Sequence, residues 1–161
     1  MIPYRAAIET EALLWHRITN AVRQLAPAER LQPGYYRDPD WSVRDVAAHL
    51  GTWLAEADRQ FQQMLAGTYD HGTEYIDVDR LNATLLEAMR DEAWDTVWSQ
   101  ANAARTMALG DWSALPAETP EATWWIEKAG PAHYAQHLPR LLEWVDELVS
   151  ARGAGSDIAP G

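Results

Sequence analysis

Apolar residues recur at helical spacing along four stretches of the chain. The first stripe, Ile8, Trp15, Ile18, Val22 and Leu25, predicts a helix from about Pro3 to Leu25. Pro27, Pro33-Gly34 and Pro39 then interrupt the pattern. A second stripe runs through Val43, Val46, Leu50, Trp53, Ala57, Phe61 and Met64. Ser42 and Asp45 stand three apart just before it, a capping-box variant, and Asp45 suits the positive end of the helix dipole. Gly67 is the expected stop. Thr68 to Asp77 follows as a connection longer than a usual helix–helix turn, one that could cross the bundle. Val78, Leu81, Leu85, Met89, Val97 and Ala101 predict a third helix from about Val78 to Leu109, with Gly110 as its end and a loop from Asp111 to Glu121. Thr123 to Lys128 reads as a short helical turn. A fourth helix starts near Gly130-Pro131, where proline suits the first position, and carries Tyr134, Leu138, Leu141, Val145 and Leu148. Pro139 could bend it.

No useful β-alternation and no internal repeat is present. The expected fold is all-α, a four-helix bundle in one domain over residues 1–152, with a Gly/Ala/Pro/Ser tail over 153–161 expected to be disordered. A length of 161 residues suits a single core.

Composition narrows the chemistry. There is no cysteine, which excludes disulfides, thiolate metal sites and a cysteine nucleophile. This fits a reducing cytoplasm, and the N-terminus, Met1-Ile-Pro-Tyr-Arg-Ala, lacks the apolar run of a signal peptide, so a cytoplasmic location is expected. No stretch approaches the ~18 consecutive apolar residues of a membrane span. A formal net charge of −11, without a Lys/Arg cluster, argues against nucleic-acid binding. A small-molecule substrate is the expected partner, and an exposed helix face would allow a homodimer. Nine tryptophans against one phenylalanine suggest aromatic core packing, with some rings left to wall a cleft.

Histidine carries the candidate chemistry. His133 and His137 stand four apart on the fourth helix, so both rings leave one face. His49 lies three residues after Val46 and four before Trp53, at the border of the apolar stripe of the second helix. Inward-facing side chains of different helices meet in a bundle, a common way to build a metal site. Three neutral imidazoles suit Zn²⁺ or Ni²⁺, with Cu²⁺ and Fe²⁺ also compatible. Three protein ligands leave a position open for water or substrate. The plainer alternative is a set of hydrogen-bonded packing histidines. His16, off the main stripe, and His71, in the glycine-containing connection, read as surface residues.

The stretch Trp41-Ser-Val-Arg-Asp-Val-Ala-Ala-His49-Leu-Gly-Thr-Trp53 resembles the second helix of the DinB/YfiT-like superfamily of metalloenzymes. It looks especially like the branch of the mycothiol-dependent maleylpyruvate isomerase N-terminal domain and the ClbS/DfsB bundle proteins. His133-Tyr-Ala-Gln-His137-Leu-Pro-Arg-Leu resembles the fourth-helix motif of that group, and Asp77-Val-Asp-Arg-Leu-Asn82-Ala the start of its third helix. The resemblance runs from about Ile8 to Leu148. It implies a four-helix bundle with a long connection between helices 2 and 3, and a metal on His49, His133 and His137. The isomerase branch has glutamate in place of one helix-four histidine, so the all-histidine set is nearer the plain DinB pattern. The isomerase's own reaction is not carried over.

The resemblance implies a metal-dependent enzyme that handles a low-molecular-weight thiol as its reactive thiolate, in transfer or isomerisation. The same ion could lower the pKa of bound water for hydrolysis. With no cysteine in the chain, any thiol must come from a ligand. Trp53, Asn82 and Tyr134 are the candidate substrate-binding residues, each with core packing or helix-end hydrogen bonding as the alternative role. Asp45 and Glu56 share roughly a face with His49 and could orient its ring. Capping for Asp45 and a solvated charge for Glu56 are the simpler roles. A non-catalytic protein that sequesters a small flat molecule is the rival reading.

Overall fold

The structure is a computed structural model that describes residues 3–36, 40–70 and 78–156, with backbone alone for 3–6, 155 and 156. Its helices are α1 (Pro3–Arg23), α2 (Val43–Ala66), α3 (Val78–Ala88), α4 (Trp94–Ala114), α5 (Pro120–Ala129) and α6 (Pro131–Ser156), with a 3₁₀ turn at Glu29–Leu31. There is no strand among the described residues, so the all-α expectation holds. No helix among them is long and apolar enough to cross a membrane.

The stripes of α1, α2 and α6 become the core. Trp15, Ile18, Val22 and Leu25 meet Val43, Val46, Leu50, Trp53, Ala57 and Phe61, together with Tyr134, Leu138, Leu141, Val145 and Leu148, in one buried cluster. α2 packs most extensively on α4, α1 packs on α6, and α5 bridges α2 and α6. The α2–α4 contact is close because its residues are small. A Cβ on Gly51 would lie 2.9 Å from the Cα of Ala101. Only glycine lets those backbones approach so far.

Both ends of α2 fall as expected. Ser42 and Asp45 form the reciprocal capping box, and Gly67, in the left-handed region at φ 69°, closes the helix. The connection beyond it cannot be compared along its length, since 71–77, His71 included, lie outside the described residues.

The third helix is not continuous. It divides into α3 and α4, with turns closed by Arg90 N–H to the Glu87 carbonyl (3.3 Å) and Glu92 N–H to the Met89 carbonyl (3.2 Å). No glycine or proline marks the break. Met89 and Val97 are two turns apart, and the charged run Arg90-Asp91-Glu92 leaves no apolar side chain to hold the intervening turn on the core. Gly110 does not end α4. It faces open space, where a Cβ would meet nothing within 4 Å, and the burial of Trp112 just beyond carries the helix to Ala114. The expected loop to Glu121 is therefore short. The expected turn at 123–128 is a full helix, because Thr119 caps it by accepting the N–H of Ala122 and Pro120 opens it. α6 passes through Pro139 and continues to Ser156, so 153–156, expected in the tail, are helical; 157–161 lie outside the described residues.

Many of the tryptophans are structural. Trp15 stacks on Trp98 (centroids 5.5 Å, 7° between planes) and Trp98 on Trp94 (5.4 Å, 15°). Arg105 lies over the Trp15 end and Arg30 over the Trp94 end of this column.

Candidate metal centre

α2 and α6 bring His49, His133 and His137 together. One ring nitrogen from each lies within 4.8 Å of the others. The Nε2 atoms of His49 and His133 are 2.8 Å apart, and the three ring centroids are 4.6 to 5.1 Å from one another. His133 owes its place to Gly130, the joint between α5 and α6. A Cβ there would sit 2.8 Å from the Ile126 carbonyl oxygen, so glycine alone lets α6 begin immediately after α5 ends. The spacing of four then brings His137 onto the same face.

His133 and His137 are buried and His49 half-buried. Burial, with the charges of His137 and Lys128, pushes the His49 imidazole down to about 3. Burial, with His49, His137 and Lys128, takes His133 down to about 2. Burial takes His137 down to about 4. All three are neutral at pH 7, and a neutral imidazole is the metal-binding form. Two neutral nitrogens at 2.8 Å cannot present lone pairs to each other; either one donates a proton, or both face a cation. Nitrogens that share an ion at the ~2.0–2.1 Å bonds zinc makes with histidine lie roughly 3.3 Å apart, and the separations here, 2.8 Å for one pair and within 4.8 Å for all, bracket that distance. The donor set therefore fits a divalent ion of that kind.

The outer contacts differ between the ligands. Tyr35, fully buried, donates its hydroxyl proton to the His137 carbonyl at 3.0 Å. Its oxygen can then only accept from His137 Nδ1, 3.4 Å away; the Tyr36 hydroxyl is 3.3 Å from the same nitrogen. With its proton on Nδ1, donating to Tyr35 or Tyr36, His137 has Nε2 left for a metal. Burial and the neighbouring Tyr36 raise the Tyr35 pKa, so its proton stays in place. The Nδ1 of His133 is buried with no hydrogen-bond partner, and its ring is held edge-on to Trp53 at 5.9 Å. Tyr35→Phe should therefore weaken metal binding by about 10–100-fold while leaving the fold intact, as removal of an outer-shell partner does. Competition with a chelating dye reads this directly. An unchanged affinity would show that Tyr35 does not orient the ring.

A cavity of about 350 Å³ opens over the three histidines. Trp53 and Asn82 both line it and are bonded to each other: the Trp53 indole N–H donates to Asn82 Oδ1 at 2.9 Å. Tyr134 is not among the residues lining it. Its hydroxyl donates to Glu11 at 3.1 Å in the core, and its ring packs on Trp15. Asp45 is occupied in capping, accepting from the Ser42 backbone at 2.8 Å and from Arg44. Glu56 pairs with Arg59 and Gln60. His16 is exposed and bonds to Asn20.

Three described lining residues escape the sequence pattern, Tyr36, Lys128 and Gln136; a fourth, Val78, belongs to the predicted third stripe, which gives it no site role. Tyr36 follows a Pro-Gly turn that carries no periodicity. Lys128 does have a signal, since it is the only lysine in a sequence with twelve arginines. No protein-family model, no curated protein and no solved structure matches the chain.

Proposed function

We propose that this chain is a divalent-metal-dependent enzyme acting on a small molecule, built on a four-helix bundle of the DinB/YfiT-like kind with a long connection between the second and third long helices. The carrying observation is the convergence of three neutral imidazoles under an open cavity, with no fourth protein ligand among the described residues. Element lengths support the bundle: α1, α2, α4 and α6 have 21 to 26 residues, against 11 and 10 for α3 and α5.

A divalent ion on His49, His133 and His137, with Zn²⁺ or Ni²⁺ the first choices, would supply a Lewis acid that lowers the pKa of a bound thiol or water. The protein's part is to hold the imidazoles neutral and, through Trp53 and Asn82, to wall the space beside them. No cysteine exists in the chain, and no carboxylate among the described residues lines the cavity. Any thiol nucleophile therefore has to arrive as a second ligand; the resemblance favours thiol-dependent transfer or isomerisation, and hydrolysis is the next reading.

The test is metal content. Protein purified without a histidine tag should hold close to one equivalent of Zn²⁺ or Ni²⁺ after loading and dialysis. Less than about a tenth of an equivalent, with no response to titration, would remove the metalloenzyme reading. Conjugation assays with and without an added low-molecular-weight thiol then separate transfer from hydrolysis. Tight ligand binding seen in tryptophan fluorescence, without turnover, would mark a sequestering protein instead.

A further inference from the structure

The cavity over the histidines has an unusual charge for this molecule. The sequence holds 24 acidic residues and a net charge of −11, yet among the described residues no Asp or Glu lines this space. All three candidate ligands are neutral imidazoles, so an ion bound there keeps its full charge. Lys128 adds another positive charge at the wall, with its Nζ 5.5 Å above the Trp53 ring. The half-buried Lys128 makes no ion pair with a described carboxylate. A lysine in the last turn of a helix has an ordinary role beside the helix dipole. That role does not explain why the ammonium is turned over Trp53 and onto the cavity, or why the single lysine of the chain stands there.

Asn82 points the same way. Asn82 Oδ1 is used by the Trp53 indole, so its amide nitrogen is what remains to donate. We infer that the cavity is built for a small organic carboxylate, whose acid group is held by Lys128 with help from the Asn82 amide, and whose body lies against Trp53 beside the three histidines. The inference rests on the metal reading for the position of the reacting group, but the Lys128 contact stands independently of it. Lysine rather than arginine suits this wall, because a compact point charge takes a carboxylate in a space already occupied by the indole.

Coupling follows from charge. The Lys128 ammonium opposes a cation on His49 and His133, both of which feel its charge. A bound carboxylate neutralises that ammonium, so metal and carboxylate should each tighten the other by the same factor.

The probes are acetate, benzoate and phenylacetate, each against its neutral amide, titrated into Zn²⁺-loaded protein and followed by tryptophan fluorescence. At least one carboxylate should bind about 10-fold or more tightly than its amide, in line with a charge-assisted contact. Lys128→Met should abolish that preference and Lys128→Arg keep most of it. Lys128→Met should also raise Zn²⁺ affinity several-fold when no carboxylate is present, an opposite change that a merely structural role would not produce. Binding of acids and amides alike, no binding of any acid, or an unchanged preference in Lys128→Met would overturn the assignment. Failure of Zn²⁺ uptake would count against the metal site only, and the acid-to-amide ratio measured on the metal-free chain would still decide the Lys128 contact.

Discussion

His133→Ala should abolish stoichiometric metal uptake, a larger loss than the ~10–100-fold expected for an outer partner such as Tyr35. His133 and His49 form a close pair of candidate ligands, their Nε2 atoms 2.8 Å apart. In the wild type, Zn²⁺ at 100 times its Kd should stabilise the fold by about 2.7 kcal/mol, because the ion binds the assembled site and not the unfolded chain. Thermal melts with and without Zn²⁺ should differ for the wild type and coincide for the variant. Without metal, the substitution removes a buried imidazole and its Nε2 contact to His49, so the metal-free variant should itself melt lower. The metal effect is the difference between melts with and without Zn²⁺, taken within each protein. A variant that still binds one equivalent would exclude His133 from the site.

The same burial sets the pH range of the centre. Metal binding requires unprotonated imidazoles, and ordinary histidines begin to lose ions to protons near pH 6.5. Here burial, aided at His49 and His133 by neighbouring charge, keeps the three at about 3, 2 and 4. Metal affinity should therefore stay nearly flat from pH 8 to about 5. The metal-free fold behaves differently. Its histidines resist protonation, while those of the unfolded chain accept protons below pH 6.5. The unfolded state then binds more protons, and stability falls as pH drops from about 6.5 toward 4, by up to ~1.4 kcal/mol per pH unit for each such histidine. Melting curves across that range, with and without Zn²⁺, check both slopes. A metal affinity that collapses at pH 6 would mean that the imidazoles are not held neutral.

What the sequence revealed about this site depended on periodicity. His133 and His137 share a face because four residues are about one turn, and His49 sits between Val46 and Trp53, two core positions. Residues placed by tertiary contact had no such mark. Tyr35 and Tyr36 reach His137 from an irregular segment more than one hundred residues earlier in the chain. Tyr134 adjoins His133 in sequence, but neighbours on a helix diverge by about 100°, so it faces the core on the other side. The division of the third helix was hidden for a related reason. Arg90, Asp91 and Glu92 resemble the solvated face of a continuing helix, and only the absence of a partner for that turn separates them from one. Amphipathic spacing reports which side of a helix is buried, not whether each turn has something to be buried against.

Glu11→Ala should cost about 3–5 kcal/mol, the range for removing one partner of a buried ion pair. Glu11 is 1% exposed and is the hub of three helices. Arg105 of α4 donates to it from Nε at 2.6 Å and again from Nη2, and Tyr134 of α6 donates from its hydroxyl at 3.1 Å. Without the carboxylate, the half-buried Arg105 guanidinium loses its counter-charge and the buried Tyr134 hydroxyl loses its acceptor, and that desolvation is the main penalty. The fall in Tm should be near 10 °C, at roughly 2–4 °C per kcal/mol for a chain of this size. Tyr134→Phe removes only one hydrogen bond and should cost about 1 kcal/mol. Replacing both charges together, as Glu11→Leu with Arg105→Met, should recover most of the stability, since no ion is then stranded. If the double variant is as unstable as Glu11→Ala, the loss is one of packing and not of charge. The hub also bears on the metal centre. Gly130 lies against Glu11, whose Cγ would be 3.8 Å from a Cβ placed there, and Tyr134 and His133 occupy the same first turn of α6. The Glu11 contact thus holds the end of α6 from which His133 reaches His49. Glu11→Ala should weaken Zn²⁺ binding even at temperatures where the protein remains folded, and the apolar double variant should restore the fold more fully than the metal affinity, because leucine and methionine cannot fix Tyr134 by a hydrogen bond.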